Sequence, residues 1–307
     1  MKDIKGSGGA MKNKWFWLGV TIAGMAVFFL VVSVFVIAFC TGEGGSLAWE
    51  EGVGLVEVKG VIMDSQDIIK QLNELRKNDK VRAVVLRIDS PGGVVGPSQE
   101  IYAEVKKLGA RKKVVVSMGS LAASGGYYIA TPAAVIMANP GTITGSIGVL
   151  MKFSNIEGLM GKIGMKAYTL KTGKFKDAGS PLRPMTDLDR AMLQGVIDNA
   201  NGQFVKAVAE GRRLPVAEVR KIADGRIFTG EQALGLKLID KIGTLQDAID
   251  EAGKLGGIKG EPQVIRPARK KNRLLDMLVE ESASRISELV KQESGFSLNY
   301  ELEGTVR

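Results

Sequence analysis

The chain has 307 residues, which is enough for one large domain with additional segments. It contains no histidine and one cysteine, Cys40, which excludes a Ser-His-Asp triad, an internal disulfide bond and cysteine–histidine metal sites. The formal net charge of +9 comes largely from basic segments near the two ends of the chain. Such segments are typical of solvated or lipid-facing surfaces, so we expect no nucleic-acid partner.

The first predicted element is a membrane-spanning helix over residues 15–40, because no charged residue stands between Trp15 and Cys40. A helix of this length, rising about 1.5 Å per residue, would cross a hydrocarbon core of about 30 Å. A cleaved signal peptide normally has a shorter apolar core of about 7–15 residues, so an uncleaved anchor is the better interpretation. Lysines concentrate in residues 1–14 and glutamates follow the span. The positive-inside rule therefore predicts a single pass of the cell (inner, cytoplasmic) membrane, with a cytoplasmic N-terminus and an extracytoplasmic main domain.

A glycine-rich linker over residues 41–52 leads to residues 53–256, in which strand-like and helix-like segments alternate. Apolar runs predict strands at Val53–Ile62, Val81–Asp89, Lys113–Met118, Val135–Asn139 and Met165–Lys171. Helical spacing predicts helices at Asp64–Asn78, Pro97–Leu108, Ala123–Ala130 and Thr186–Gly211, the last with Thr186 and Asp187 at its cap. Strands separated by helices are typical of parallel βαβ units, so we expect an α/β sheet with helices on its faces.

Residues 257–307 are predicted to form a basic, amphipathic C-terminal tail. Leucine, isoleucine and valine recur at helical spacing over residues 272–291. This pattern fits a helix that docks on a neighbouring subunit or on the membrane surface, and it fits a loosely held tail equally well.

Three loops could carry chemistry, since each follows a predicted strand at the edge where open α/β sheets place their sites. The first is residues 89–93, Asp-Ser-Pro-Gly-Gly. Its glycines free the backbone to aim N–H groups at a ligand, as an oxyanion hole requires. An ordinary strand-to-helix turn has the same composition.

The second loop, residues 119–126, contains a candidate nucleophile. Ser124 stands among small residues at a predicted helix start, where the helix dipole favours a developing alkoxide. Ser117 and Ser120 compete with it by composition, and small residues also serve tight packing of a helix on a sheet. Because the chain has no histidine, the base for such a serine must be another residue, and lysine is the usual substitute.

The third loop, residues 173–181, offers that base. Lys174 and Lys176 lie two residues apart, and Lys171 is close by. A lysine acts as a base only where burial or nearby positive charge lowers its pKa from about 10.4 toward roughly 7–8. Spacing alone does not choose among the three lysines.

These loops together resemble the signal peptide peptidase A (SppA) family. SPGG after a strand is followed by MGSLAASGGYYIAT, by TITGSIGV at 142–149 and by FKDAGSPLRPMT at 175–186. The likeness covers roughly residues 53–256, and a looser one extends to the Clp-type proteases, which share the SPGG and MGxxAAS elements. It implies a crotonase/Clp-like ββα superhelix, present in a single copy, that closes into dome-shaped homo-oligomers.

The resemblance also implies roles for individual residues. Ser124 matches the nucleophile, Lys176 the general base, and Ser146 a serine whose hydroxyl helps to hold the lysine. The backbone N–H groups of Gly93 and Gly125 match the oxyanion hole. In short members of the family the serine and the lysine of one site come from adjacent protomers, so oligomerisation would be needed for activity.

The implied function is a membrane-anchored Ser-Lys endopeptidase that degrades remnant signal peptides and needs no metal, nucleotide or organic cofactor. The sequence has no GxxxxGK[ST] phosphate loop, so the expected substrates are short peptides that are already extended. The alternatives are a membrane-protein quality-control protease of the same superfamily and a catalytically silent, oligomeric membrane scaffold. An acyl-CoA-processing enzyme fits poorly, because an extracytoplasmic domain meets no CoA pool.

Overall fold

The computed structural model describes residues 24–33, 51–267 and 299–301. The chain divides into two compact units between Trp49 and Glu50. In the first unit, residues 24–33 are helical and exposed. No helix within the three described ranges is both long enough and apolar enough to cross a membrane. The predicted span over residues 15–40 lies mostly outside those ranges and stays a prediction.

The second unit is a mixed α/β fold. Its strands are β1 (Gly52–Lys59), β2 (Val81–Ser90), β3 (Gly92–Val94), β4 (Lys113–Ala123), β5 (Val135–Ala138), β6 (Ile143–Gly145), β7 (Ile227–Thr229), β8 (Lys241–Ile242), β9 (Gln263–Ile265) and β10 (Asn299–Glu301). Its helices are α1 (Gln66–Lys77), α2 (Val95–Gly109), α3 (Gly125–Ala130), α4 (Glu157–Lys162), α5 (Asp187–Arg212), α6 (Val216–Ile222), α7 (Gly230–Gly235) and α8 (Leu245–Gly256).

Eight of these strands form one sheet in the order β7-β6-β4-β2-β1-β9, with β5 beside β4 and β8 beside β5. Strand pairs in this sheet are parallel, apart from β6 and β7. Strand β4 is long enough to pair first with β5 and then, nearer its carboxyl end, with β6. The expected α/β sheet of largely parallel strands is therefore confirmed for the described residues.

Both faces of the sheet are covered, which explains why its central strands are apolar almost without interruption. Successive side chains of β2 point to opposite faces. Val84, Leu86 and Ile88 belong to the larger core, which includes residues of α1, α2, α3 and α5. Ala83 and Val85 belong to a smaller core with residues of α8.

Helix α5 begins where the sequence predicts, at a capping box. The Asp189 N–H donates to Thr186 Oγ1 (3.1 Å), and the Thr186 N–H donates to the Asp189 carboxylate (3.1 Å). Further along the helix, Phe204 is fully buried and its ring meets Tyr128 of α3 edge-on, with centroids 5.0 Å apart. Helix α5 thus covers the short helix that follows Ser124.

The expected strand over Met165–Lys171 is wrong, because these residues belong to no helix or strand. Its apolar side chains face solvent instead of a partner strand: Tyr168 is 85% exposed and Leu170 fully exposed. An alternating pattern without a neighbouring strand does not stabilise extended structure. A second boundary also differs, since β4 continues to Ala123 and α3 starts only at Gly125. The predicted helical pattern over residues 272–291 lies outside the described residues.

Candidate active site

Ser124 occupies the turn between β4 and α3 and is buried, with 1% of its surface exposed. Its backbone has φ 52° and ψ −118°, a conformation that costs a residue with a side chain roughly 1–3 kcal/mol. The turn is held from both sides: the Ser124 N–H donates to the Gly145 carbonyl, and the Tyr128 N–H donates to the Ser124 carbonyl, both at 2.8 Å. A strained strand-to-helix turn that carries a serine is typical of hydrolase nucleophiles.

The two competing serines have different surroundings. Ser117 is buried within β4, and its hydroxyl accepts a hydrogen bond from Arg87 of the neighbouring strand (2.8 Å). Ser120 is exposed in the same strand. Neither stands at a strained turn, so the geometry favours Ser124 among the three candidates.

The Asp-Ser-Pro-Gly-Gly loop packs directly against this turn. A Cβ at Gly126 would lie 2.9 Å from the Ser90 carbonyl oxygen, so a glycine is needed where α3 approaches the end of β2. Helix α3 also contacts β3. Gly125 is the first residue of α3, and the first N–H groups of a helix have no acceptor within it. Its N–H is therefore available to a ligand.

Strand β3 presents the N–H of Gly93 along an edge that accepts another strand. On one side of β3, Ile62 N–H donates to the Gly92 carbonyl and Val94 N–H donates to the Ile62 carbonyl, both at 2.8 Å. Successive N–H groups of a strand point to opposite edges, so the Gly93 N–H points away from Ile62. On that far edge β10, the segment Asn299–Glu301, pairs antiparallel with β3, and Tyr300 lies opposite Gly93.

Ser146 lies close to Ser124 because their strands are neighbours. Ala123, the last residue of β4, pairs with Gly145, the last residue of β6. Ser146 then has φ 51°, is buried, and donates its N–H to the Arg226 carbonyl (2.8 Å). The structure thus brings together Ser124, Ser146, Gly125 and Gly93.

Lys176 lies on a different segment, a series of turns over residues 172–179. It is exposed, and it forms no hydrogen bond or ion pair with another described residue. The two other candidate lysines are engaged: Lys171 forms an ion pair with Asp177, and the Lys174 ammonium lies 4.8 Å from the centroid of the Phe175 ring. The three lysines, which the spacing left equivalent, therefore have different surroundings. Lys176 forms no hydrogen bond to the turn between β4 and α3 that holds Ser124, which we call the serine turn.

Sequence reasoning missed the ion pairs beside this lysine. Arg183 binds the carboxylates of both Asp177 and Asp189, at 2.8 Å and 2.6 Å. The hydrogen bonds from Arg183 hold the pKa of each carboxyl well below its usual range. The only available signal was the clustering of charged residues around the FKDAGSPLRPMT motif, which says nothing about which charges pair.

The tyrosines that follow Ser124 are structural. Tyr127 is fully buried and donates its hydroxyl hydrogen bond to the Leu238 carbonyl (2.8 Å). Burial raises the pKa of the Tyr127 hydroxyl and raises that of Tyr128 to about 12. Both hydroxyls are therefore even less ionised near pH 7 than an ordinary tyrosine, and the hydrogen bond of Tyr127 helps to anchor α3.

A buried serine on a strained turn, next to backbone N–H groups with no helical acceptor, is typical of serine-type hydrolases, here on an α/β fold. Comparison with known proteins narrows the class. The model of peptidase family S49 matches residues 106–259, and the model of Clp protease matches residues 57–143.

Individual relatives agree with these models. A Synechocystis sp. protein named as a protease is 46% identical over 208 residues, which cover 67% of this chain and 75% of the relative. A Methanocaldococcus jannaschii protein, also named as a protease, is 40% identical over 210 residues, or 68% of this chain and 67% of the relative. An Enterococcus faecium protein named as a signal peptide peptidase SppA is 35% identical over 216 residues, or 65% of this chain and 62% of the relative. The chain belongs to peptidase family S49, as an SppA-type member, and is a serine-type protease.

Proposed function

We propose that the protein is a membrane-anchored endopeptidase that uses a Ser124–Lys176 dyad to degrade remnant signal peptides. The observation that carries the proposal is the serine turn itself. Ser124 is strained and buried beside the Gly125 N–H, and the Gly93 N–H lies along an edge that pairs with an extended strand. Such an edge suits an extended peptide that would take the place of β10 there, because main-chain hydrogen bonds hold a peptide that adds a strand to a sheet.

The proposed mechanism uses only groups of the protein and water. Neutral Lys176 removes the proton of Ser124 Oγ as the oxygen attacks a peptide carbonyl carbon. The N–H groups of Gly93 and Gly125 donate hydrogen bonds to the oxyanion. The lysine ammonium then protonates the leaving amine, and water hydrolyses the acyl-enzyme by the same route in reverse. Ser146, next to Ser124, is the proposed hydrogen-bond partner that orients the lysine amine.

The substrate and the location are supported by separate features. The uncharged segment over residues 15–40 supports a membrane anchor, and lysines before it support a cytoplasmic N-terminus. A relative named as a signal peptide peptidase supports signal peptides as substrates. Such peptides are apolar, short and already within the membrane.

We further propose that the active unit is a homo-oligomer with a crotonase/Clp-like arrangement. Lys176 is exposed and has no bond to the serine turn, so a second copy of the chain is the proposed donor of the lysine. All residues of 161–176 are exposed in the single chain, and they include the apolar side chains of Met165, Tyr168 and Leu170. A run of exposed apolar side chains is typical of a protein interface.

Peptide cleavage by the full-length chain in detergent tests the proposed function. We expect Ser124→Ala and Lys176→Ala each to lower cleavage of an apolar, signal-peptide-like substrate by at least about 10³-fold, because the nucleophile or its base is lost. The matched controls are Ser120→Ala and Lys174→Ala, which change neighbouring residues of the same types and should retain wild-type rates. Equal activity of the Ser124 or Lys176 variant and its control would refute the assigned dyad. An inactive wild type on varied peptides would favour a silent scaffold.

A further inference from the structure

A chain of ion pairs lies directly beside the proposed base. Asp177 follows Lys176, and Arg183 binds its carboxylate with two nitrogens, Nε to Oδ2 at 3.0 Å and a terminal nitrogen to Oδ1 at 2.8 Å. The same guanidinium donates to the Asp177 carbonyl oxygen (3.2 Å), so it holds the backbone as well as the side chain. Lys171 adds a second positive partner for the carboxylate. Bidentate pairs of this kind fix orientation as well as distance.

The other end of the chain of ion pairs is anchored in the fold. The remaining terminal nitrogen of Arg183 donates to Asp189 Oδ2 at 2.6 Å. The side chain of Asp189 is only 3% exposed, and the same oxygen accepts the Thr186 N–H in the capping box of α5. Arg183 therefore connects the turns over residues 172–179 that carry Lys176, which we call the lysine turn, to the start of α5. Helix α5 has 26 residues and is part of the main core.

The lysine turn has few other constraints. Residues 161–176 are all exposed, and no helix or strand follows α4 until α5 begins. Within the turn, Ala178 and Ser180 each donate one backbone hydrogen bond, to Phe175 and to Asp177, both at 3.0 Å. Without Arg183, the Lys171–Asp177 ion pair and these local bonds would have to hold the position of Lys176.

The four charged groups of this cluster also balance one another. Lys171 and Arg183 are positive, Asp177 and Asp189 are negative, and their formal charges sum to zero. The turn is therefore held in place without adding net charge beside Lys176.

We propose that Arg183, held by Asp189, is a positioning residue that fixes the Lys176 turn. This inference rests on the proposed function, since it assigns a role only if Lys176 is the base. Positioning is worth much in catalysis, because a displacement of about 1 Å costs roughly 10²-fold in rate.

The test compares two variants that break the same pair, in full-length protein. Arg183→Met removes the guanidinium, and Asp177→Asn removes the carboxylate that it binds. We expect both to lower kcat by roughly 10–100-fold, with KM changed less than about threefold. Arg183→Lys keeps the positive charge but not the bidentate geometry, so it should recover only part of the loss. A purely structural role would lower the amount of folded enzyme and would not lower kcat per folded active site.

Two controls separate positioning from stability. Thr186→Ala removes the helix cap without touching Arg183, so it should lower the unfolding midpoint and leave kcat per folded enzyme near the wild-type value. Arg190→Met removes an exposed arginine of the same helix start and should behave as wild type. Wild-type kcat in both Arg183→Met and Asp177→Asn, or a loss of activity that only matches the loss of folded protein, would overturn the proposal. If Lys176→Ala is inactive while Arg183→Met and Asp177→Asn are fully active, only the positioning role is refuted. If Lys176→Ala is active, the Ser124–Lys176 dyad is refuted as well.

Discussion

Ser124 holds a backbone conformation that few residues with a side chain adopt, and hydrogen bonds from two directions keep it there. Its φ of 52° turns the chain sharply between β4 and α3, which leaves the side chain at the end of the strand. Ser146 repeats the same feature one strand away, with φ 51°. Two strained serines at neighbouring strand ends indicate a site whose geometry is fixed before any substrate arrives.

Gly93 has no room for a side chain. A Cβ there would collide with the Ile62 carbonyl, so Gly93→Ala must displace β3 and with it the proposed oxyanion N–H. We expect peptide cleavage to fall by about 10²–10³-fold, as on loss of one oxyanion donor. Gly96→Ala is the matched control, since its added methyl group meets open space on α2. Similar activities for the two variants would argue against a role for Gly93.

Hydrogen bonds from Arg183 lower the pKa values of Asp177 and Asp189, so the stability of this region depends on pH. A carboxyl whose folded pKa is lowered adds stability that is fully present above its unfolded pKa of about 3.9 and disappears as the pH falls further. We expect hydrogen-exchange protection of residues 171–190 to decline below about pH 4, before that of β2 and β4. Asp177→Asn should weaken this protection at neutral pH and reduce its pH dependence. Protection that persists unchanged to pH 2.5 would contradict the assignment.

Among the helices and strands, the sheet presents the candidate catalytic loops, and α5 packs on the helix that follows Ser124. Phe204 of α5 is fully buried against Tyr128 of α3, and Tyr128 in turn lies 4.9 Å from Tyr102 of α2. This aromatic cluster joins three helices on one face of the sheet. Packing here therefore affects the rigidity of α3 as well as the stability of the fold.

Truncating a ring of this aromatic cluster should destabilise the fold. Phe204→Ala should reduce the free energy of unfolding by about 3–5 kcal/mol, because it removes a large buried ring and leaves a cavity. Phe204→Leu should cost less, since most of the volume remains. Urea titration monitored by circular dichroism measures both. A loss below about 1 kcal/mol for Phe204→Ala would show that α5 packs less tightly than the structure indicates.

The sequence predicts the central elements because their apolar runs are long and periodic, as in β2 and α5. It does not predict β3 and β6, which are three residues long and are defined only by their neighbours. The stretch 165–171 shows the opposite error, an apolar pattern with no partner strand in the single chain. Ser124 and Lys176 could be chosen only through the motifs they share with a known family. The pairing of Arg183 with Asp177 and Asp189 depends on tertiary placement, which spacing does not reveal.

In the whole molecule, Lys176 forms no hydrogen bond to the turn that holds Ser124, which leads to a prediction about assembly. If two protomers build one site, mixing inactive Ser124→Ala with inactive Lys176→Ala should restore part of the activity, since mixed oligomers contain some intact sites. Adding Leu170→Asp to the wild type should lower both oligomer mass, measured by light scattering, and peptide cleavage. No recovery on mixing subunits that demonstrably exchange would show that each chain builds its own site.

The most direct measurement is covalent labelling of the nucleophile with a fluorophosphonate, followed by peptide mapping and by the labelling rate as a function of pH. We predict one adduct, at Ser124, formed faster as the pH rises because the base must be neutral to accept the serine proton. We also predict that Lys176→Ala slows labelling by about 10²-fold or more, while Lys174→Ala does not. An adduct at another serine, or labelling of Ser124 that is independent of Lys176, would refute the Ser124–Lys176 dyad.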